Sequence, residues 1–253
     1  MSIILSMAFS NFYPIGFISS CYKEKFGIPR QPNLVPAATA QLILNKEFGE
    51  ESIRGLEGFS HLWINFIFHK TQEQGWKTMV RPPRLGGNKK VGVFASRSTF
   101  RPNPLGLSVV ALLDCEVTAR KVILHLGGCD LLDGTPVLDI KPYLPYVDNI
   151  PEAKGGFANE EPKVLHEVLF SEGAKSQCAM AEKRLTRIQN GQKGGGWQVK
   201  QLIIQILQLD PRPSYQKQEK SDRIYAMKLY DFDLRWQYLD DNKIKVLELI
   251  IRG

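Results

Sequence analysis

Along the first 150 positions apolar residues come in short runs, several alternating with polar ones, and no helical spacing is sustained beyond about ten residues. Residues 13–20 (YPIGFISS), 37–44 (AATAQLIL), 91–94 (VGVF), 107–116 (LSVVALLDCE), 121–126 (KVILHL) and 135–140 (TPVLDI) read as strands. The run 61–68 (HLWINFIF) is almost wholly apolar and of strand length, which fits a buried core strand. Residues 107–116 and 121–126 form a pair joined by a short turn. One helical turn is expected at 50–53, before Gly55. Between these runs, residues 23–36, 75–90 and 100–106 are broken by proline and glycine. Each proline removes an N–H and constrains the residue before it, so these stretches are loops. Many short strands separated by such loops predict a barrel or a sandwich.

Beyond a polar, turn-rich stretch at 151–162 the pattern changes. Residues 164–170 read as a strand. Residues 171–190 read as an amphipathic helix, with Ala174, Cys178, Ala181, Leu185 and Ile188 stepping by four and three. Gly191 and the Gly194-Gly195-Gly196 break follow, then a second helix over 197–209 and a rigid DPRPSY loop at 210–215. Strands at 223–230, 232–239 and 243–250 close the chain. The expected organisation is a β domain over 11–150, a linker over 151–162 and a smaller α+β domain over 163–253.

Composition is that of a folded protein, 43% hydrophobic and 23% charged. The four cysteines, Cys21, Cys115, Cys129 and Cys178, show neither CxxC pairing nor zinc-finger spacing, so reduced thiols in the cytoplasm are expected and no metal. The opening MSIILSMAFS lacks the basic region of a signal peptide, with Met7 as an alternative start, and no run approaches a membrane span. The formal charge is +7. Residues 70–101 contain eight basic side chains and one acid, Glu73, so this segment alone carries the whole excess. Such a focused field attracts a polyanion, the blander reading being a solvated basic loop.

The chain has no glycine-rich dinucleotide fingerprint, P-loop or nucleophile elbow. His61, His125 and His166 are scattered, and His61 and His125 fit core strands. His69 ends its strand beside Lys70, where a site could open. Arg81 and Arg84 stand on a proline-stiffened backbone (RPPRLGGN). Arg97 follows a strand directly, within FASRSTFRPNPLG, and suits planar contact with carboxylate or phosphate, the alternative being an arginine tied to structural carbonyls. Asp130 and Asp133 suggest either a cation site or an Asx turn.

Several of these strings together resemble one family. PRQP at 29–32, GLEGFSHLW at 55–63, the 81–88 loop, 92–106 and 133–142 look like the TsaA/YaeB (TrmO) family of tRNA N6-threonylcarbamoyladenosine methyltransferases, and DPRPSY resembles the signature of its C-terminal domain. The resemblance implies a mainly β fold, with an N-terminal non-Rossmann β-barrel that binds S-adenosylmethionine and a small α+β C-terminal domain. It implies a homodimer that methylates N6 of threonylcarbamoyladenosine beside the anticodon, usually in the threonine tRNA. It places Pro29, Arg30, Gln31, His69, Lys70, Arg97, Leu107, Asp133, Gly134, Thr135, Pro136 and Val137 around the cofactor. The 133–137 turn is expected to act largely through backbone groups. Asp210, Arg212 and Tyr215 are expected to face RNA, with Arg81, Arg84, Lys89 and Lys90 on phosphates. One of Arg97, Arg101 or Arg212 is expected to grip the threonyl carboxylate. No general base is evident, and Arg97 and Tyr215 are the candidate catalytic side chains. The alternatives are a non-catalytic RNA-binding module and a methyltransferase for another substrate.

Overall fold

A computed structural model describes residues 12–188, 198–212 and 223–251, without the side chains of residues 187 and 188. The alternating runs become β1 (Gly16–Ser20), β2 (Thr39–Leu44) and β3 (His61–Ile67), followed by a two-residue hairpin of β4 (Met79–Val80) and β5 (Val91–Gly92). Then come β6 (Leu105–Val117), β7 (Val122–Gly127), β8 (Pro136–Pro142) and a four-residue helix, α1 (Pro145–Asp148). The C-terminal part contributes β9 (Glu167–Phe170), α2 (Glu172–Ile188), α3 (Val199–Gln208), β10 (Ile224–Leu229), β11 (Phe232–Tyr238) and β12 (Lys243–Ile251). The turn expected at 50–53 is a 3-10 helix over Glu50–Ile53.

Six strands close into an antiparallel barrel in the order β1-β2-β7-β6-β3-β8, with β1 meeting β8 through Gly16 and Val137. The period-two pattern decides which side chains enter it. Leu62, Ile64 and Phe66 of β3 are buried, as are Leu42 and Leu44 of β2, while Trp63 and Asn65 lie between the buried positions. Each fully buried leucine or isoleucine contributes about 1.5–3 kcal/mol. Gly106 sits opposite Phe66, where any Cβ would run into the phenyl ring, so the close approach of β3 to β6 needs glycine there. The expected strand at 91–94 stops at Gly92. Val93 instead opens a 3-10 turn over Val93–Ala95, so only the first half of the VGVF run is strand.

The second core lies between a four-stranded sheet, β10-β11-β12-β9, and the helices α2 and α3. Ala174, Cys178, Ala181 and Leu185 form the buried stripe of α2 as the spacing predicts. The glycine break at 191–196 lies outside the described residues. This core also takes side chains from the connection between β1 and β2. Cys21, Tyr22, Val35 and Ala38 are buried in it, with Phe26, Ile28 and Ala37 packed against it. The Phe26 ring stacks on Trp236 with centroids 5.9 Å apart, and Tyr225 stacks on Trp236 at 5.8 Å. The Tyr230 N–H donates to the Cys21 carbonyl at 2.9 Å, and the Ala37 N–H donates to the Gln205 side chain at 2.8 Å.

Candidate active site at one end of the barrel

Because every barrel pairing is antiparallel, β1, β3 and β7 finish at the end where β2, β6 and β8 begin. Three connections leave that end together: residues 21–38, 68–104 and 128–135. Between them they carry every barrel residue singled out from sequence except Leu107, Pro136 and Val137, which sit near the starts of β6 and β8.

The connections are tied to one another. The Asn33 N–H donates to the Gly128 carbonyl at 2.9 Å, and its side-chain amide donates to the Val109 carbonyl at 3.3 Å. Gly128 has φ 65°, and a Cβ on it would strike the Asn33 side-chain oxygen, so both the conformation and the space demand glycine. Lys25 Nζ donates to the Lys70 carbonyl at 2.9 Å, and Lys23 meets Asp133 at 2.9 Å.

Arg97 donates to the side-chain carbonyl of Gln31, joining the first and second connections. Its charge also reaches Asp130 on the third. Asp130 Oδ1 accepts a hydrogen bond from Ser108 Oγ at 2.8 Å. Burial pushes the Asp130 carboxyl up to about 6, against the opposing pull of Ser108 and Arg97, so it is ionised at neutral pH yet close to titrating. From sequence, Asp130 stood out only as part of a turn, either a cation site or an Asx turn. The signal that marks it is its place, three residues beyond a strand buried along its whole length. Perturbed carboxylates of this kind gather at functional sites.

The other expected cofactor residues divide. Pro29 is buried, while Arg30 reaches the surface, where desolvation lowers its guanidinium pKa, Asp210 opposes and Arg84 adds to the effect. His69 is half-buried, and burial followed by Lys70 lowers its imidazole pKa, which keeps the ring neutral at pH 7. Leu107 is 52% exposed and alternates with the buried Ser108, so it faces away from the Asp130 cluster. The 133–135 turn is largely occupied in holding β1. The N–H groups of Asp133 and Gly134 donate to the Tyr22 and Ile18 carbonyls, that of Thr135 donates to Leu132, and Asp133 Oδ1 accepts from the Ser20 N–H. These three amides are already donating within the fold, so the backbone groups the turn keeps for a nucleotide are its carbonyls. Asp130 and Asp133 serve separate and distant partners, Ser108 Oγ for the one and the Ser20 N–H with Lys23 for the other, which is not the local bond of an Asx turn.

Among the cations, Arg81, Lys89 and Lys90 are exposed and form no ion pair among the described residues. Arg84 donates to the Glu160 carbonyl in the linker and borders a shallow depression of about 450 Å³ with Phe157, Asn159 and Lys163. Arg101 is different. It donates to the carbonyls of Ser96 at 2.9 Å and Val93 at 3.3 Å, so it is a structural clamp and not a free phosphate or carboxylate ligand. The carbonyl-bound state weighed as the alternative for Arg97 is found at Arg101.

The DPRPSY string also departs from expectation. Asp210 and Arg212 are 3% and 7% exposed and are paired, with Arg212 Nε to Asp210 Oδ1 at 2.9 Å. The Tyr238 hydroxyl donates to the same oxygen at 2.9 Å, and the Arg212 guanidinium lies 3.5 Å from the Tyr238 ring centroid. Burial is the largest single influence and lowers the Arg212 pKa, but hydrogen bonds to Asp210 and Tyr225 and the electrostatic pull of Tyr238 and Asp210 together outweigh it, and the net direction is upward. Both residues therefore face the C-terminal core and not a ligand on the surface. Tyr215 lies outside the described residues. No group of three or more metal-ligating side chains is found among the described residues, and none of their helices is long and apolar enough to cross a membrane.

Comparison with known proteins places this geometry. The model of the tRNA-methyltransferase O N-terminal domain matches residues 17–149, and that of the TrmO C-terminal domain matches residues 163–251. Together with the closed six-stranded barrel, these matches define the chain as a methyltransferase of the β-barrel class. The chain belongs to the TrmO family. It is 46% identical to the tRNA (adenine(37)-N6)-methyltransferase of Escherichia coli over 92% of its own length and 95% of that protein. It is also 46% identical to a putative S-adenosylmethionine-dependent methyltransferase of Pseudomonas aeruginosa, over 93% and 96%. A crystal structure of TrmO matches it with a TM-score of 0.76 at 40% identity, covering 95% of this chain and 98% of that one.

Proposed function

We propose that this protein is an S-adenosylmethionine-dependent methyltransferase that modifies N6 of threonylcarbamoyladenosine beside the anticodon of tRNA, the threonine tRNA foremost, as a cytoplasmic homodimer. The observation that carries the reading is the convergence of three connections at one barrel end, where Arg97 bonds Gln31 and its charge acts on Asp130, with Arg81, Lys89 and Lys90 exposed on the same connection and in no ion pair among the described residues. The donor set fits the cofactor. Its methionyl end carries both a carboxylate and an ammonium, and Arg97 and Asp130 offer a cation and an anion near enough for the charge of one to act on the other. When bound, S-adenosylmethionine supplies an activated methyl group on a sulfonium. The chain's own residues orient the reactants, and alignment of this kind is worth up to roughly 7–11 kcal/mol. Gln31 holds the Arg97 fork in place, and Ser108 fixes the Asp130 carboxylate. Arg81, Lys89 and Lys90 are positioned to take RNA phosphates.

The test has two arms. Calorimetric titration with S-adenosylmethionine should give saturable heat, whereas a mere RNA-binding module gives none. Nucleoside mass spectrometry after incubation with unmethylated tRNA should show the methylated threonylcarbamoyl form. Arg97→Ala should lower turnover by at least about 100-fold while the circular dichroism spectrum stays intact, a loss in the range expected for a key electrostatic contact. Full turnover by that variant would remove Arg97 from the site.

A further inference from the structure

The turn that follows β5 presents a phenylalanine outward. Phe94 is 76% exposed, although burying such a ring would gain about 1.5–3 kcal/mol. A lone exposed apolar side chain is common and means little. This one is held rigidly. The Val93 side chain beside it is buried, and the Val93 N–H donates to the Thr78 carbonyl at 3.0 Å. The Val93 carbonyl accepts three hydrogen bonds, from the Ser96 N–H at 3.2 Å, Ser96 Oγ at 2.8 Å and Arg101 at 3.3 Å. The Arg101 guanidinium also lies 5.7 Å from the Phe94 ring centroid.

Its surroundings are as informative as its rigidity. Phe94 lies three residues before Arg97, in the connection that leaves the site end of the barrel. The β4–β5 hairpin leading to it is flanked by Lys77 and Arg81 on one strand and by Lys89 and Lys90 on the other. Trp76 and Met79, 56% and 51% exposed, add further apolar surface. A fixed ring among cations matches the chemistry of an unpaired nucleobase on a phosphate chain. Every base offers a π-face, and the backbone supplies the negative charge.

We propose that Phe94 is a stacking platform for an unpaired base of the RNA loop that carries the target adenosine. The inference rests on the RNA reading above and adds the residue that seats the loop. Arg101 is then a positioning residue, which aims the ring through the Val93 carbonyl.

The experiment measures binding of an anticodon stem-loop RNA to the full-length protein by fluorescence anisotropy at several salt concentrations, for wild type, Phe94→Ala, Phe94→Leu and Phe94→Trp. Loss of one stacked base weakens binding roughly 5- to 100-fold. Phe94→Ala and Phe94→Leu should both show that loss, and Phe94→Trp should not. The salt slope should be the same in all four, since no charge changes. Heat from S-adenosylmethionine titration and the melting temperature should also stay at wild-type values. Wild-type affinity in Phe94→Ala, or in Phe94→Leu, which keeps apolar bulk without a ring, overturns the proposal. A smaller sedimenting species for Phe94→Ala overturns it too, because the ring would then be a subunit contact. If wild type itself binds no stem-loop while still taking up S-adenosylmethionine, the RNA reading fails first and this inference with it.

Discussion

Replacing Asp130 with Asn should make the protein more stable at neutral pH and a poorer binder of its cofactor. The carboxyl is largely buried, and its pKa rises from 3.8 to about 6 on folding. A raised carboxyl pKa means that the folded state favours the proton more than the unfolded chain does. The ionised form therefore costs stability. That cost is fully present above pH 6, shrinks as pH falls through the interval between about 6 and 4, and is gone below it, where both states are protonated. Each pH unit of difference is worth about 1.4 kcal/mol, giving a ceiling of about 3 kcal/mol. Solvent reaches part of the group, which reduces the expected value to about 1–2 kcal/mol. Asn keeps the shape, and its side-chain oxygen still accepts from Ser108 Oγ, so the comparison isolates the charge. Urea unfolding of Asp130→Asn and wild type at pH 7.5 should show the variant ahead by that margin, and the two should converge at pH 4. A variant less stable at pH 7.5, or a gain of equal size at both pH values, would refute the argument. Calorimetry on the same pair should show weaker S-adenosylmethionine binding in the variant, and wild-type affinity should fall below pH 6.

Gly128→Ala combines a left-handed backbone with a clash against Asn33, and should cost about 1–3 kcal/mol in chemical unfolding while loosening the 29–31 segment, read as faster amide exchange there. Arg212→Ala leaves the Asp210 carboxylate buried and short of its main partner, which should cost about 3–5 kcal/mol. The double variant Asp210→Asn with Arg212→Met should lose clearly less than the two single losses added together, as a double-mutant cycle in urea will show. Neutralising Arg81, Lys89 and Lys90 together should lower the slope of log affinity against log salt by about 2 for a single-stranded loop, and an unchanged slope would move the RNA to another face.

The barrel was legible where one face of a strand is buried and the other is not, as in β2 and β3, while β7 is buried on both faces. The short apolar run at 37–44, the almost wholly apolar run at 61–68 and the 107–126 pair gave strand positions to within a few residues. The VGVF run misled because its apolar content is spent on one buried side chain, Val93, in a turn, and local composition cannot tell a turn anchor from a strand. Arginine chemistry carried the same ambiguity. A guanidinium suited to phosphate is equally suited to carbonyls, and only the fold shows that Arg101 is consumed by Val93 and Ser96 while Arg97 is not. Asp210 and Arg212 stand in a surface-like string of prolines and polar residues, yet they neutralise each other inside the C-terminal core. Asp130 was read only as part of a turn, because its importance lies in its burial, its bond to Ser108 and the charge of Arg97, none of which is written in the neighbouring sequence.

The segment between β1 and β2 belongs by covalent order to the barrel and by packing to the other half of the molecule. A cut at the linker would strip the cover from Tyr22, Phe26 and Val35 and leave the Pro29-Arg30-Gln31 stretch hanging from a greasy, unsupported hinge. Anyone building a minimal catalytic fragment, or grafting this C-terminal part onto a different barrel, must treat residues 21–38 as cargo that travels with both pieces.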